Sequence, residues 1–343
     1  MSEFLSVDLL EIIKNELLRP RRPTAVRLPT FYPSSASAID SSTGDVIGGC
    51  RRADWYRVNR VSKSNSRDFY LAMIHELGNA VESTVVKAMM KAGIFESTNV
   101  KLYDPRTNLS GELDVVGRYR KKDSSIGYYG VEVKSVYGMG VTMSITGRQR
   151  AWRGQPAFRP KPKDNNLMQS MVYTDFFSPE RDPEFSLEGF KLIYLPRDKP
   201  IDGRHYDIML VTREALTGSL LSRHGPSMSP GEHYALISTK GYPDYVETRF
   251  SIEDIKNRFA AQKEMFASGV VPERTFKKFY SASEVETRYS NGSLSKTAYE
   301  KYHSGKDRPG HFLCQRYCDY RDHCYKRNGD PRLEADQLVQ ITT

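Results

Sequence analysis

Two carboxylates and a lysine lie close together in a stretch whose composition is typical of a β-hairpin. The first strand begins Gly-Glu-Leu-Asp, ending at Asp114, and the second reads Gly-Val-Glu-Val-Lys from residue 130. Side chains alternate across a strand, so Glu132 and Lys134 share one face. Pairing of the strands can bring Asp114 beside Glu132, which would create a hard-oxygen site for a divalent cation. Such a cation can activate water and offset the negative charge on a phosphate during the reaction, while the lysine positions the water.

The same residues also have a simpler interpretation, a cross-strand salt bridge on a solvated hairpin. Glu-x-Lys pairs on exposed strands are common and contribute little. Here, however, both strands are rich in valine, which indicates that they are largely buried: Val115, Val116, Val131, Val133 and Val136. Burying a charged group costs free energy, and such groups are kept mostly where they have a function, so the sequence favours a functional site.

Two predicted helices could complete this site. A helix over 67–92 has apolar residues at spacing four and contains Gly78 and Glu82 one turn apart on the same face. We expect the glycine to allow close approach to the sheet and Glu82 to join the metal ligands. A second helix, over 165–177, places Gln169 and Tyr173 four residues apart, where an amide and a phenol could reach a phosphate or hold the lysine.

The order Gly-x-x-x-Glu, Gly-Glu-x-Asp, Glu-x-Lys and Gln-x-x-x-Tyr, over residues 78–173, resembles the RecB-like branch of the PD-(D/E)XK nucleases. The resemblance implies an α/β, restriction-endonuclease-like core, a mixed central sheet flanked by helices. It implies that the catalytic residues are Asp114, Glu132, Lys134, Gln169 and Tyr173. It also implies Mg²⁺ or Mn²⁺ held by Glu82, Asp114, Glu132 and the carbonyl of Val133. Many members have histidine in place of Glu82, and His75 is an outer-shell candidate.

Four cysteines fall into a one-plus-three arrangement, with Cys50 upstream and Cys314, Cys318 and Cys324 close together downstream. Four thiolates can hold an iron–sulfur cluster or zinc, and the Cys-x-x-Cys pairs typical of zinc sites are absent. The arrangement resembles the iron–sulfur members of the same branch, such as CRISPR-associated RecB-like and AddB-type nucleases, and implies a 4Fe–4S cluster. The first downstream gap is three residues here and typically two in those members. Zinc or unrelated thiols remain the alternatives.

Such a cluster would join the N-terminal and C-terminal segments as a staple. Closing a very long loop removes much chain entropy from the unfolded state. We therefore expect a structural cluster whose loss destabilises the fold and weakens DNA binding.

Two basic segments are candidates for nucleic-acid contact. Residues 148–163 contain six Lys or Arg and no acidic residue. Residues 51–67 also contain six Lys or Arg, the last being Arg67, and a single acidic residue, Asp54. Guanidinium groups neutralise phosphates, and aromatic rings stack on bases. The simpler alternative is a loop whose basic residues serve only solubility. The residues predicted to bind nucleic acid are Arg148, Arg150, Trp152, Arg153 and Arg159.

Composition sets limits on the class of protein. The 343 residues are 38% hydrophobic and carry a formal net charge of +9, with a pI of about 9.2. This composition excludes global disorder and is compatible with a nucleic-acid partner. No apolar run is long enough for a membrane span, and no secretion signal is recognisable, so we expect a cytoplasmic protein, nucleoid-associated in a bacterial host.

The remaining pattern predicts three consecutive segments within one compact unit: 1–66 with the first cysteine, 67–270 as the nuclease core, and 271–343 with the other cysteines. Further strands are expected at 188–196, 205–212, 233–239 and 245–250. Further helices are expected at 3–18, 252–267 and 281–303. Residues 19–49 and 138–164 are expected to be mainly irregular.

Together these observations predict a Mg²⁺- or Mn²⁺-dependent DNA exonuclease. We expect it to act on single-stranded DNA or DNA ends in replication, recombination or repair, and a phage origin would fit. The alternative is a non-catalytic or weakly catalytic DNA-binding subunit that works beside a helicase or a CRISPR adaptation complex. An RNA-processing enzyme of the same fold is a third hypothesis. No phosphate-binding loop of a helicase is present in the sequence, so we do not expect a motor.

Overall fold

The computed structural model describes residues 30–65, 69–147, 159–181, 185–198 and 203–326. The chain forms two compact units. The sheet unit comprises Met1–Gly49 and Phe69–Gly269, and the cysteine unit comprises Cys50–Asp68 and Val270–Thr343. This grouping differs from the three consecutive segments expected from the sequence, because 1–49 groups with the sheet and 50–68 with the C-terminal residues. The predicted helix at 3–18 lies outside the described residues.

Nine strands are described, all in the sheet unit: β1 (Ser37–Ile39), β2 (Val46–Gly48), β3 (Phe95–Asp104), β4 (Leu109–Arg120), β5 (Ile126–Val136), β6 (Leu187–Pro196), β7 (Arg204–Thr212), β8 (His233–Thr239) and β9 (Tyr242–Glu247). The described α-helices, in chain order, are α1 (Arg51–Val58), α2 (Phe69–Lys91), α3 (Met139–Thr146), α4 (Asp164–Phe176), α5 (Gly218–His224), α6 (Ile252–Ala267), α7 (Ala282–Ser290), α8 (Lys296–His303) and α9 (Arg321–Lys326).

A seven-stranded mixed sheet forms the centre of the sheet unit. Its strand order is β3-β4-β5-β6-β7-β8-β9, and β5 and β6 are the parallel pair among otherwise antiparallel neighbours. Parallel neighbours need a crossover connection, and α3 and α4 lie in the connection from β5 to β6. The predicted α/β class with a mixed central sheet flanked by helices is therefore confirmed.

Helices cover both faces of the central strands. On one face, α2 brings Val81, Val85 and Met89 against Val131 and Val133 of β5. On the other face lies α4, in which nine of thirteen residues are buried, from Asn166 to Thr174. A strand with a helix on each side has an apolar and nearly continuous sequence, which explains the valine content of β4 and β5.

The helix predicted at 252–267 begins and ends where the sequence indicated. Ser251 accepts a hydrogen bond from the backbone N–H of Asp254, and the Asp254 side chain accepts one from the Ser251 N–H. This reciprocal capping box satisfies two N–H groups that would otherwise have no partner at the start of the helix.

Several sequence predictions were wrong in detail. Residues 37–48 form the β1–β2 pair rather than a loop, and residues 139–146 form α3 rather than irregular chain. The single helix predicted at 281–303 is two helices, α7 and α8, because Gly292 has a φ of 76° that ends the first. The strand predicted at 245–250 lies at 242–247, and β3 was not predicted.

The cysteine unit is built from α1 and α7–α9. A π-helical turn at Leu313–Tyr317 carries Cys314. Val285 of α7 and Tyr56 of α1 are among its buried side chains. No helix among the described residues is both long enough and apolar enough to span a membrane.

Candidate functional site

The sheet divides between β4 and β5 at Asp114 and Glu132. Pairing of these strands runs from Arg120↔Ile126 to Val115↔Val131 and ends there. Beyond that point β4 pairs with β3 alone and β5 with β6 alone, Glu132 lying opposite Leu192. Continuing the register by one position would pair Asp114 with Glu132. We call this place the carboxylate fork.

The charges at the carboxylate fork act on one another. Burial, then the negative charges of Glu132 and Glu82, raise the pKa of Asp114 to about 8, against the opposing effect of Lys134. Burial and the charge of Glu132 also raise the pKa of Glu82. The three predicted carboxylates and the predicted lysine, contributed by α2, β4 and β5, therefore lie near enough for their charges to interact.

Glu132 is held through one carboxylate oxygen. Its Oε1 accepts hydrogen bonds from Lys134 Nζ and from Gln169 Nε2, the latter at 3.1 Å. Its Oε2 is buried and accepts no hydrogen bond from an N–H or hydroxyl group in the part of the chain that is described, and the residue is only 2% exposed. The Asp114 carboxyl, when protonated, is the hydrogen-bond donor to Glu132. A bound cation beside Asp114 would take the place of that proton. Carboxylate oxygens such as these suit Mg²⁺ or Mn²⁺.

Tyr173 has a different contact from the one expected. Its hydroxyl donates a 2.8 Å hydrogen bond to the backbone carbonyl of Glu112, and its ring stacks on Phe190 with centroids 5.9 Å apart. Burial, then the charges of Glu132 and Asp114, raise the pKa of the Tyr173 hydroxyl. Tyr173 therefore joins α4 to β4 next to the carboxylate fork.

On α2, the expected role of Gly78 was wrong. A Cβ at Gly78 would lie 3.8 Å from Ser135 Oγ, an ordinary contact, so close approach to the sheet does not require glycine there. His75 is exposed on the same helix. The Val133 side chain packs in the apolar cluster with Met89, and its carbonyl remains a predicted ligand.

The basic segment is described only in part. Arg148, Arg150, Trp152 and Arg153 lie outside the described residues. The Arg159 guanidinium lies 4.8 Å from the centre of the Tyr245 ring. Partial burial and the positive charge of Lys134 lower the pKa of Lys163, which places this second lysine near the carboxylate fork.

A network of ion pairs in the sheet unit was not predicted from the sequence. Arg249 binds Asp40 at 3.1 Å, Asp164 at 2.5 Å and Glu247 at 2.9 Å. Lys161 adds a 3.1 Å ion pair with Glu247. The partners come from distant parts of the sequence, so no local pattern could have indicated the network. It fixes the start of α4, which carries Gln169 and Tyr173.

In the cysteine unit, all four cysteines line one cavity, which we call the cysteine cavity. They are free thiols. The other lining residues are Arg52, Ala53, Tyr56, Arg274, Phe276, Arg321 and Tyr325.

Cys314 is buried and Cys50, Cys318 and Cys324 are partly exposed, and charge on one thiol affects the pKa of another. Burial raises the pKa of Cys50, and burial followed by the charges of the other three cysteines raises the pKa of Cys314. Burial also raises the pKa of Cys318 to about 11. Cys50 is the N-cap of α1, and hydrogen bonds from backbone N–H groups there partly oppose the effect of burial on its pKa. The chemistry of this donor set, four cysteines around one cavity, fits a thiolate-bound cluster.

Among the residues that the structure describes, no three His, Cys, Asp or Glu side chains are grouped so that they could hold a metal ion. Neither the iron–sulfur staple nor the three-carboxylate metal shell expected from the sequence is therefore shown among these residues.

No protein-family model matches the chain, and no curated protein matches it. A solved structure described as "Crystal structure of SSO0001" is similar over 79% of this chain and 91% of that chain, with 12% sequence identity and a TM-score of 0.36. A likeness of this size carries no argument about fold or function.

Proposed function

We propose that the protein is a metal-dependent deoxyribonuclease whose active site is the carboxylate fork. The observation that carries the proposal is the position of Asp114 opposite buried Glu132, where Glu82 and Lys134 lie near enough to shift the pKa of Asp114. Strongly shifted carboxyl groups that cluster beside a lysine are more typical of functional sites than of structural ion pairs.

The cation ligands in this proposal are Glu82, Asp114, Glu132 and the Val133 carbonyl. A bound Mg²⁺ or Mn²⁺ would lower the pKa of water and offset negative charge on the phosphate. Lys134, which donates to Glu132 Oε1, would steady a phosphate oxygen or the attacking water. Gln169 donates to that same oxygen and so orients the Glu132 carboxylate. Tyr173 holds the β4 backbone in place through its hydrogen bond to the Glu112 carbonyl.

DNA is the proposed substrate because positive charge is concentrated in one unit. The cysteine unit carries 19 of the chain's 51 Lys and Arg residues and 12 of its 42 Asp and Glu residues. The sheet unit carries the remaining 32 basic and 30 acidic residues, so its charges nearly balance. Two exposed aromatic rings lie in the same unit, Phe312 at 58% and Tyr317 at 56% exposure, with Arg316 between them. Their centroids are 6.1 Å apart. Basic groups beside exposed rings suit a single strand, on whose bases the rings stack.

A 4Fe–4S cluster in the cysteine cavity is part of the same proposal. Its support is the common cavity lined by Cys50, Cys314, Cys318 and Cys324. Cys50 lies in the segment 50–68 and the others in 270–343, so the cluster would join two distant segments within the cysteine unit. We propose a structural role, in which the cluster stabilises the unit that binds DNA.

The test is degradation of end-labelled single-stranded and double-stranded DNA by protein purified anaerobically, with Mg²⁺ or Mn²⁺. Glu132→Gln keeps the side-chain volume and removes the charge. Glu112→Gln is the matched control, an exposed carboxylate on the neighbouring strand β4. The proposal predicts metal-dependent cleavage that is lost in Glu132→Gln and kept in Glu112→Gln. Products that shorten progressively from an end would support exonuclease action.

Well-folded wild-type protein that binds DNA and leaves it intact would contradict the nuclease proposal. That result would favour the alternative, a DNA-binding subunit that works beside a partner. Cleavage of RNA in preference to DNA would favour the third hypothesis, since the 2′-hydroxyl is the group that separates these substrates.

A further inference from the structure

Arg52 is a buried arginine in the cysteine unit. It lies on α1, two residues after Cys50, and is 6% exposed. Its Nε donates a 2.6 Å hydrogen bond to the carbonyl of Pro272, and its Nη1 lies 3.9 Å from Cys324 Sγ. Within the described residues no carboxylate forms an ion pair with it. A buried guanidinium is costly without a negative partner, and an anionic group bound at Cys324 would be one.

A second guanidinium is directed at the same sulfur. Arg274 Nε lies 3.4 Å from Cys324 Sγ, and its Nη2 donates a 3.0 Å hydrogen bond to the Cys324 carbonyl. The guanidinium also stacks on Tyr325, 4.4 Å from the ring centre. These contacts fix its orientation, so both arginines present N–H groups to Cys324.

The third arginine of the cysteine cavity is bound differently. Arg321 Nη1 donates to the carbonyl of Gln315 at 2.7 Å, and its Nε pairs with the Asp322 carboxylate at 3.2 Å. Its Nε is thus directed at a carboxylate and not at a sulfur. At Cys314 the described hydrogen bond runs from the thiol to the Phe276 carbonyl, at 3.5 Å. Among the described contacts, the guanidinium groups of Arg52 and Arg274, but not that of Arg321, therefore converge on Cys324.

We infer that Arg52 and Arg274 are positioning residues for the cluster, offsetting the negative charge of a cysteine-bound iron–sulfur cluster at its Cys324 corner. The inference rests on the proposed cluster. Two consequences follow. The arginines slow loss of the cluster, because they stabilise its anionic, thiolate-bound form. They also raise its reduction potential, because a one-electron reduction adds one negative charge, which hydrogen bonds and positive charge at sulfur favour.

The test uses the full chain purified anaerobically, with Arg52→Gln, Arg274→Gln and the control Arg321→Gln. Cluster loss to a chelator is followed by the decay of visible absorbance, together with iron and sulfide content. We expect loss about tenfold faster in Arg52→Gln and Arg274→Gln, the size typical of changes next to metal ligands. A titration with dithionite as electron donor, monitored by EPR, should give a more negative midpoint potential in the same two variants. Arg321→Gln should match the wild type in both measurements.

A double-mutant cycle separates this role from general stability. Cys324→Ser removes the sulfur acceptor, so adding Arg274→Gln to it should change cluster loss less than it does in the wild type. Arg274→Lys keeps the charge and should restore most of the midpoint potential. If Arg52→Gln does not fold, Arg274→Gln, whose side chain is only partly buried, decides the question.

Two results would overturn the inference, and they are distinguishable. Wild-type protein that binds zinc, or binds no iron and sulfide, removes the proposed cluster and the inference with it. Wild-type protein that holds a cluster, with the same loss rate and midpoint potential in all three arginine variants, leaves the cluster in place and contradicts only the role of Arg52 and Arg274.

Discussion

Asp114 and Glu132 occupy facing positions on β4 and β5, one residue beyond Val115 and Val131, where the two strands stop pairing. The position matters because β3 and β6 continue the sheet on either side while the centre opens. Two carboxylates at such an opening repel one another, and burial strengthens the repulsion. A cation between them would reverse the sign of this interaction.

Metal-free protein should become less stable as the pH rises. The pKa of Asp114 is about 8 in the folded state, against a reference of 3.8, so the folded state retains a proton that the unfolded chain releases. Its contribution to stability is complete below the reference pKa and is lost as the pH rises through the folded-state value. Asp114→Asn should therefore raise the Tm at pH 8.5 in EDTA, by roughly 2–6 °C.

The difference between Asp114→Asn and the wild type should be smaller at pH 5, because folded Asp114 is then protonated. Thermal melts across this pH range measure the effect. Glu112→Gln, which changes an exposed carboxyl two residues earlier, should follow the wild type at every pH. A Tm difference between Asp114→Asn and wild type that does not vary with pH would show that the carboxyl does not titrate as described.

Tyr173→Phe should affect stability more than chemistry. The variant removes the 2.8 Å hydrogen bond to the Glu112 carbonyl and leaves a buried acceptor, which costs about 1 kcal/mol. Urea unfolding should show this loss, while kcat falls less than tenfold, since the hydroxyl acts through the backbone. A kcat reduction as large as that of Glu132→Gln, with unchanged stability, would instead assign the phenol to the reaction.

Gly78→Ala should be tolerated and should stabilise the protein. The new methyl group meets Ser135 Oγ at 3.8 Å without a clash, and alanine in a helix interior is favoured by about 0.5–1 kcal/mol over glycine. The measurement is the denaturation midpoint, with nuclease activity as a second readout. Destabilisation of this variant would mean that α2 lies closer to β5 than the structure places it.

Phe312→Ala and Tyr317→Ala should weaken binding of single-stranded DNA without lowering the Tm, since both rings are exposed. Stacking on one ring contributes about 1–3 kcal/mol per base, so each variant should lose roughly 5- to 150-fold in affinity. Fluorescence anisotropy with a labelled oligonucleotide measures the loss. Tyr103→Ala, which removes a 51% exposed ring from β3 in the sheet unit, is the control. Equal losses in all three variants would contradict a specific stacking surface.

Local signals predicted much of the sheet unit. The helix α6 could be bounded because Ser251 and Asp254 form a capping box that is visible in the sequence. Two valine-rich strands and a short turn predicted that Asp114 and Glu132 would face one another, but not that the strands stop pairing one residue earlier, at Val115 and Val131. In contrast, β3 was missed because it alternates weakly, shifts register near Phe95 and contains Asn99 at a φ of 58°.

Other features depend on contacts between distant residues. The sequence drew attention to the four cysteines, but Arg52 entered only as part of a basic stretch, and its neighbours come from residues 272 and 324. The same holds for Arg249, whose ion-pair partners Asp40 and Asp164 are far away in the chain. Pattern arguments of helical or strand period cannot find such pairs, because packing alone brings them together.

The most direct measurement is Mn²⁺ binding to the metal-free protein, obtained from the EPR signal of free Mn²⁺ for the wild type, Asp114→Asn, Glu132→Gln and Glu112→Gln. The account predicts saturable binding in the wild type and in Glu112→Gln. It predicts binding weakened at least tenfold, as an order of magnitude, in Asp114→Asn and Glu132→Gln, each of which loses a charged ligand. Equal Mn²⁺ binding by all four proteins would contradict the central claim that the carboxylate fork is a divalent-cation site.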